Sequence, residues 1–161
     1  IEVSLYESAV SSLINQATNW LMNENIPQRI DSKHPNIAPY GEIFATRDGR
    51  SVTMAIGSDR QFKNLCAVLE IPNVSKQPMY SSNSSRVKNR EALADLLQEE
   101  VQSFMADELL ERYREKFVPA AEIKNVKQVF EEQKAKEMLL RETIEGRETV
   151  RPLTTAFNIN S

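Results

Sequence analysis

Cysteine, histidine and glycine are all scarce in this sequence, and each scarcity excludes a class of site. The chain has one cysteine and one histidine among 161 residues. A single cysteine excludes an internal disulfide, and one cysteine with one histidine cannot supply the ligands of a zinc site. The four glycines lie too far apart to form a glycine-rich loop that holds phosphate groups. The single thiol fits a reducing, cytoplasmic setting.

Long hydrophobic runs and an excess of positive charge are also missing. No stretch approaches the roughly 18 consecutive apolar residues of a membrane span. Twenty Lys and Arg stand against 23 Asp and Glu, for a net charge of −3, whereas a nucleic-acid-binding protein needs a basic surface. The composition is instead typical of a globular protein, and the length fits one domain. We therefore expect neither a membrane nor a nucleic acid as a partner.

The spacing of apolar residues predicts an α+β fold. Apolar side chains recur at helical spacing over residues 5–22, which predicts one long N-terminal helix with a wide apolar face. Three prolines within residues 25–41 predict an extended linker. The pair Asp48-Gly49 predicts a hairpin with a tight primed turn, and a second hairpin closes the chain. The remainder predicts helices packed on a small mixed or antiparallel sheet.

The middle of the chain is predicted to be largely helical. Ser58 followed by Gln61 is a capping-box pattern, which predicts the start of a helix. Residues 71–88 are polar and predict a loop. Asn89 and Asp107 are of the type that caps helices, so each is predicted to begin one of the next two.

Few side chains in the sequence suggest catalysis. Asp31 and His34 lie three residues apart in the linker and could form a pair for acid–base work, although a lone histidine in a loop is more often a surface residue. Cys66 lies on the inner side of a predicted helix with Leu65 and Leu69, which indicates a core residue and not a reactive thiolate. We assign no catalytic residue and no metal ligand to this chain.

A small basic cluster precedes one of the predicted helices. It consists of Arg86, Lys88 and Arg90. A solvated surface is the first interpretation, and contact with a polyphosphate is the second. The residues alone therefore predict an α+β module without a complete active site. Its best binding candidate is the segment 34–40, because stiff proline-rich backbone exposes polar groups.

Six short segments that occur in one order along the chain point to a known family. They are EVSLYESA at 2–9, HPNIAPY at 34–40, FATRDG at 44–49, GSDRQF at 57–62, NSSRVKNR at 83–90 and VPAA at 118–121. Together they resemble the motifs of family III CoA-transferases, the CaiB/BaiF family. This family includes formyl-CoA and carnitine CoA-transferases and the α-methylacyl-CoA racemases.

The resemblance implies that the chain is a fragment of a longer enzyme. Family members carry a large Rossmann-like domain with a nucleophilic aspartate, which attacks an acyl-CoA thioester and then carries CoA as an aspartyl thioester. That aspartate is expected upstream of the first segment, so the chain alone is expected to be inactive. By this resemblance, residues 1–24 are a connecting helix from the large domain, residues 25–41 a linker, and residues 42–161 a small α+β domain.

The resemblance also implies partners and a substrate pocket. Family subunits interlock as homodimers, and acyl-CoA and carboxylic acids are substrates, so that no cofactor is expected to remain bound to this fragment. The linker lies near the acyl pocket in the family, which makes His34, Asn36 and Tyr40 the candidates for lining it. Two alternatives remain: a free-standing binding or dimerisation module of the same fold, and a fragment of an acyl-CoA racemase or lyase.

Overall fold

In the computed structural model, which describes residues 2–153 apart from the side chain of Asn15, the chain divides into two units after Ala121. Helices and small antiparallel sheets alternate, which confirms the predicted α+β class. The helices are α1 (Leu5–Ser12), α2 (Ile14–Asn23), α3 (Asp59–Val68), α4 (Asn83–Lys88), α5 (Arg90–Val101), α6 (Ala106–Glu115), α7 (Val126–Glu131) and α8 (Gln133–Lys136). The strands are β1 (Tyr40–Ala45), β2 (Ser51–Ala55), β3 (Ala120–Glu122), β4 (Leu139–Ile144) and β5 (Arg147–Pro152).

The sheet of the first unit has the strand order β1-β2-β3. Strands β1 and β2 pair antiparallel, with an irregularity in the register between Tyr40 and Ile43. The backbone N–H of Ala55 donates to the carbonyl oxygen of Pro119 at 2.9 Å, directly before β3 begins. The hairpin predicted at the start of this unit is therefore confirmed, and a third strand extends it.

The turn of the β1-β2 hairpin differs from the predicted one. The N–H of Gly49 donates to the carbonyl of Thr46, and the N–H of Thr46 donates to the carbonyl of Arg50, both at 2.9 Å. The left-handed conformation falls on Gly49, with φ of 75°. This is a three-residue loop in which a type I turn precedes the left-handed glycine, and the prediction of a two-residue primed turn was wrong.

The core of the first unit lies between one face of the sheet and helices α3, α5 and α6. Cys66 is fully buried there, as the sequence predicted, and burial raises the pKa of its thiol to about 11. A buried thiol of this kind is unreactive at neutral pH. The largest fully buried apolar side chains of the core are Tyr113, Phe44, Phe62, Met54, Ile56, Leu65, Leu69, Leu93, Leu97, Leu109 and Val52.

The predicted single helix over residues 5–22 is two helices. The break falls at Leu13, whose N–H donates to the carbonyl of Val10 at 3.1 Å, three residues back instead of four. The hydroxyl of Ser12 donates to the carbonyl of Ala9 at 2.7 Å. Serine hydroxyls that bind nearby carbonyls compete with regular helical bonds, which accounts for the interruption.

Residues 71–88 are not a loop throughout, and that prediction was wrong. The Ser82 hydroxyl accepts the N–H of Ser85 at 3.2 Å and begins α4. Asn89 does precede α5, but its side chain makes no capping bond there. Its amide instead donates to the carbonyls of Ser85 and Met79, so it joins α4 to the preceding loop.

Helix α6 is capped from another element. Asp107, the predicted cap, lies inside the first turn, and its Oδ1 is 2.7 Å from Nη1 of Arg50. Asp48 in the hairpin turn accepts the N–H of Ala106 at 3.2 Å and the hydroxyl of Thr46 at 2.6 Å. The hydrogen bond from Thr46 lowers the pKa of Asp48. The turn residue thereby anchors the hairpin to α6.

The second unit contains α7, α8 and a second hairpin. Asn125 and Gln128 form a capping box at the start of α7. Strands β4 and β5 pair antiparallel around Glu145 and Gly146, with φ of 49° and 76°. Positive φ at both positions is typical of a primed turn. Between residues 2 and 153 the structure contains no helix long and apolar enough to cross a membrane.

Candidate substrate-binding segment

The segment from His34 to Tyr40 is a closed loop. The N–H of His34 donates to the carbonyl oxygen of Tyr40 at 2.8 Å. The two aromatic rings meet edge-on, with 5.3 Å between their centroids and an angle of 61° between their planes. The bond between Ala38 and Pro39 is a cis peptide. Ala38 and Pro39 are both buried, so the second half of the loop attaches it to the rest of the first unit.

Arg86 on α4 binds the backbone of this loop. Its side chain is completely buried. Its Nε donates to the carbonyl of Ala38 at 2.8 Å and its Nη1 to the carbonyl of Tyr80 at 3.1 Å. Its Nη2 pairs with Asp59 at 2.9 Å, and its guanidinium carbon lies 4.5 Å from the ring centre of Phe62. The buried charge thus has an ion pair, two carbonyls and an aromatic face.

Arg90 at the start of α5 also binds the backbone of the loop. Its Nη2 donates to the carbonyl oxygens of His34 and Ile37. Its Nε lies 3.0 Å from Oε1 of the buried Glu42, where charge and not an aligned hydrogen bond joins the two groups. The other Glu42 oxygen accepts the N–H of Tyr40. Glu42 therefore neutralises Arg90 and holds the end of the loop.

Asn83 completes the attachment of the segment. Its Oδ1 accepts the N–H of Ala38 at 3.2 Å, and its Nδ2 donates to the carbonyl of Asn36 at 2.8 Å. The side-chain amide thus binds a donor and an acceptor of the backbone, as a neighbouring strand would. With Arg86 and Arg90 it forms what we call the clamp, the three residues Asn83, Arg86 and Arg90.

The clamp corrects the interpretation of the basic cluster as a solvated surface or a polyphosphate contact. Arg86 and Arg90 are turned inward, and only Lys88 of the cluster is exposed. Helical spacing carries the signal that could have shown this, because positions 86 and 90 share a helical face with Leu93 and Leu97. Both leucines are core residues. Charged side chains that share a helical face with core leucines indicate buried ion pairs and not a solvated surface.

The three predicted pocket residues lie in this one segment but have different surroundings. The side-chain amide of Asn36 donates to Oδ1 of Asn19 at 2.9 Å, which links the segment to α2. Nδ1 of His34 accepts the N–H of Asn36 at 3.1 Å, so Nε2 remains for another partner. Tyr40 lines an apolar cavity of about 340 Å³, whose other lining residues are Gly41, Thr53, Met54, Ala55, Pro119, Ala120 and Ala121.

The alternative pairing of Asp31 with His34 is not formed in the structure. Oδ1 of Asp31 lies 3.8 Å from Nε of Arg29, and both side chains are exposed. The one ring nitrogen of His34 with an assigned bond faces Asn36 instead. Across residues 2–153 no group of three or more His, Cys, Asp or Glu side chains could hold a metal ion.

A larger cavity of about 770 Å³ lies between the linker and the start of α5. Its charged lining contains four cations and two anions, but Glu42 balances the charge of Arg90 and Asp31 lies 3.8 Å from Arg29. These charged residues are Arg29, Lys33, Lys88, Arg90, Asp31 and Glu91.

Comparison with known proteins decides the family. The family model of CoA-transferase family III matches residues 1–160. The chain belongs to CoA-transferase family III. Within this family III chain, three of the motif segments meet at the clamp. Asp59 comes from GSDRQF, Arg86 from NSSRVKNR and Ala38 from HPNIAPY, and the three are joined through the Arg86 guanidinium.

Two curated relatives show how much of a family III protein the chain represents. It is 30% identical over 146 residues to the succinate–glutarate CoA-transferase of Agrobacterium fabrum, an alignment that covers 91% of the chain and 36% of that protein. It is 33% identical over 132 residues to the human succinyl-CoA:glutarate CoA-transferase, which covers 82% of the chain and 30% of that protein. The chain therefore spans about a third of the length of these relatives.

Solved structures agree with this family III assignment. The crystal structure of a CaiB/BaiF family protein from Brucella suis has a TM-score of 0.72 and 33% identity to the chain. The match covers 97% of the chain and 40% of that protein. A protein from M. tuberculosis has a TM-score of 0.76 at 19% identity and shows the same fold.

Proposed function

We propose that the chain is the small-domain part of a longer family III CoA-transferase, which transfers CoA between carboxylic acids. The match of the family to residues 1–160 carries this proposal, together with relatives that are named CoA-transferases and are about three times as long. In the proposal, residues 1–24 connect to a large domain, residues 25–41 form the linker and residues 42–161 form the small domain.

The proposed chemistry divides one acyl transfer into steps at an aspartate of the large domain. The aspartate attacks the thioester carbonyl and expels CoA thiolate, giving a mixed anhydride. The thiolate attacks the aspartyl carbonyl and releases the donor acid, leaving an aspartyl-CoA thioester. The acceptor carboxylate then attacks the aspartyl carbonyl of that thioester and expels CoA thiolate, giving a second mixed anhydride. The thiolate attacks the acceptor acyl carbonyl of this anhydride, forms the new acyl-CoA and frees the aspartate. The chain described here supplies no nucleophile to these steps.

The contribution of the chain in this proposal is one wall of the acid pocket, formed by His34, Asn36 and Tyr40. The clamp supports this role, because a pocket wall must keep its shape while substrates exchange. The names of the relatives in Agrobacterium fabrum and human favour dicarboxylic acids of four or five carbons as substrates. We also propose a cytoplasmic homodimer, for which the exposed apolar surfaces of α1 and α2 offer a contact face.

The test is an assay of CoA transfer by the full-length polypeptide that contains this chain. We expect succinyl-CoA and glutarate to give glutaryl-CoA, and the 161-residue chain alone to give none. Steady turnover by the 161 residues would contradict the proposal. Epimerisation of a 2-methylacyl-CoA without any acceptor acid would indicate the racemase alternative. Absence of both activities from the full-length polypeptide would favour a binding or dimerisation module.

A further inference from the structure

We infer that residues 122–153 form a docking element, which is stabilised by contact with the large domain of the same polypeptide and not by a core of its own. This inference rests on the proposed function, because the large domain belongs to the longer enzyme. It deepens that function by separating the self-supporting part of the small domain, which ends at Ala121, from an element that needs a second surface.

The second unit has no apolar core within its described part. None of the apolar residues between 122 and 153 is buried. The core cluster of the first unit, in contrast, lies entirely between Phe44 and Val118. Because burial of apolar side chains is the main favourable contribution to folding, residues 122–153 lack the contribution that stabilises the first unit.

Local hydrogen bonds and exposed ion pairs hold the second unit together. Its helices α7 and α8 have six and four residues, and helices this short are unstable on their own in water. Strands β4 and β5 form a two-stranded hairpin, in which Glu142 pairs with Arg151 at 2.8 Å. An isolated hairpin is marginally stable, and an exposed ion pair contributes little. These elements therefore require a further surface to remain folded.

The exposed side chains of the second unit fit a protein surface as that partner. Val126 on α7 and Ile144 and Val150 on the hairpin are each at least half exposed. Acidic and basic residues are equal in number over residues 122–153, so no net charge favours a nucleic acid or a charged membrane. Exposed apolar side chains among balanced charges fit a contact with another protein surface.

The length of the relatives indicates which protein surface this is. The matched regions make up only 36% and 30% of the Agrobacterium fabrum and human proteins. In a protein of that length, the remaining polypeptide is joined covalently to the second unit. A joined surface acts at an effective concentration of about millimolar, which a separate partner rarely reaches. We therefore assign the contact to the large domain of the same polypeptide and not to a second copy.

Amide hydrogen exchange of the 161-residue chain and of the full-length polypeptide tests this inference. In the 161-residue chain, we expect the amides of β4 and β5 to exchange within about tenfold of the rate of an unfolded peptide, while those of β1 and β2 are protected. In the full-length polypeptide, we expect the β4 and β5 amides to exchange at least about a hundredfold more slowly. Strong protection in the short chain, or equally fast exchange in both proteins, would overturn the inference.

Two matched variants locate the contact on the hairpin. Ile144 on β4 is 55% exposed and Ile43 on β1 is 53% exposed. In the full-length polypeptide, we expect Ile144→Thr to reduce the protection of β4 and β5 at least about fivefold and Ile43→Thr to leave it unchanged. Exchange of the β2 amides shows whether each variant is folded. No loss in Ile144→Thr, or an equal loss in both variants, would contradict a contact through the hairpin.

Two further measurements on the full-length polypeptide separate the possible partners and the two proposals. Chains with light and heavy isotopes are refolded together and cross-linked through lysine. Cross-links from Lys127 or Lys136 to the large domain that always join a light to a heavy chain would assign the contact to a second copy and overturn the inference. Turnover with an unprotected hairpin would refute the docking element alone, and a protected hairpin without turnover would refute the transferase activity alone.

Discussion

Arg86 shows how a single side chain can join distant parts of this sequence. Its guanidinium binds backbone or side chains from the linker, the loop before α4 and the first turn of α3. Burying a charge costs free energy, and here an ion pair and two carbonyl acceptors offset that cost. Removing the guanidinium would leave the carbonyls of Ala38 and Tyr80 without a donor inside the protein.

We therefore expect Arg86→Met to lower the free energy of unfolding by about 3 kcal/mol, because it leaves two carbonyls unsatisfied and breaks the pair with Asp59. Urea unfolding of the 161-residue chain measures this. The matched control is Arg114→Met, since Arg114 has an exposed side chain that pairs only within α6. Equal stability of the two variants would show that the Arg86 contacts contribute nothing.

Cys66 gives the unfolding equilibrium a dependence on alkaline pH. Burial raises the pKa of its thiol from 9.0 to about 11 in the folded protein. Between these values the unfolded chain has released the proton and the folded chain still holds it, so stability falls as the pH rises. The contribution is complete below pH 9 and is lost toward pH 11.

We expect this thiol to make the protein about 1 kcal/mol less stable at pH 10 than at pH 8. Urea unfolding at both pH values, compared with the same measurement on Cys66→Ala, isolates the contribution of Cys66 from those of other groups. The variant is expected to be less stable at pH 8 and to show a smaller decrease. An identical decrease in both proteins would rule out the thiol as the cause.

At the scale of elements, the start of β1 requires a glycine at position 41. Gly41 has φ of 84°, and a Cβ placed on it would lie 2.0 Å from the carbonyl oxygen of Ser32. The hydroxyl of Ser32 also donates to the carbonyl of Gly41 at 2.6 Å. The linker thus lies directly against the backbone at the start of the strand.

The matched comparison is Gly41→Ala against Gly49→Ala. Gly49 has a similar φ of 75°, but a Cβ there would meet no atom within 4 Å. Gly49→Ala should cost about 1 kcal/mol for the left-handed conformation alone. Gly41→Ala should cost about 3 kcal/mol, because the collision with Ser32 is added. Urea unfolding gives both values, and equal costs would mean that the linker does not pack against β1.

Elements specified by neighbouring residues could be predicted from the sequence, and those specified by distant contacts could not. The cap of α3 by Ser58, both hairpins and the core position of Cys66 follow local rules, and the structure confirms them. The Gln61 side chain accepts the N–H of Gly57 at 2.9 Å in place of that of Ser58, so the predicted box is formed only in its Ser58 half. Helix α6 is capped by Asp48, which accepts the N–H of Ala106 although the two residues are 58 positions apart in the sequence. No local pattern contains such a contact.

The candidate site also has a part that could be predicted from neighbouring residues and a part that depends on distant contacts. The sequence placed His34, Asn36 and Tyr40 in one segment because they follow each other in the chain. It did not reveal that Arg86 and Arg90 bind that segment, since an isolated basic cluster is usually solvated. The helical spacing of Arg86 and Arg90 with the core leucines indicates that both arginines are turned inward, but it does not say which segment they bind.

At the scale of the whole molecule, the first unit has a buried core and an uncovered apolar surface. Leu5 is 89% exposed, Ile14 78% and Leu21 72%, and α1 buries none of its residues. Single exposed apolar side chains are ordinary, but a succession of them along two helices is typical of a contact surface. In the proposed enzyme, the large domain or the second subunit covers this surface.

Oxidative footprinting tests that proposal on the same residues in two contexts. We expect Leu5, Tyr6, Ile14 and Leu21 to be modified readily in the 161-residue chain and at least about fivefold more slowly in the full-length polypeptide, because burial excludes the reagent from apolar side chains. Phe117, which is 81% exposed and distant in sequence from both helices, is the internal reference in each sample. Equal modification of the helices in both contexts would mean that they remain uncovered, and the connecting role proposed for residues 1–24 would then be wrong.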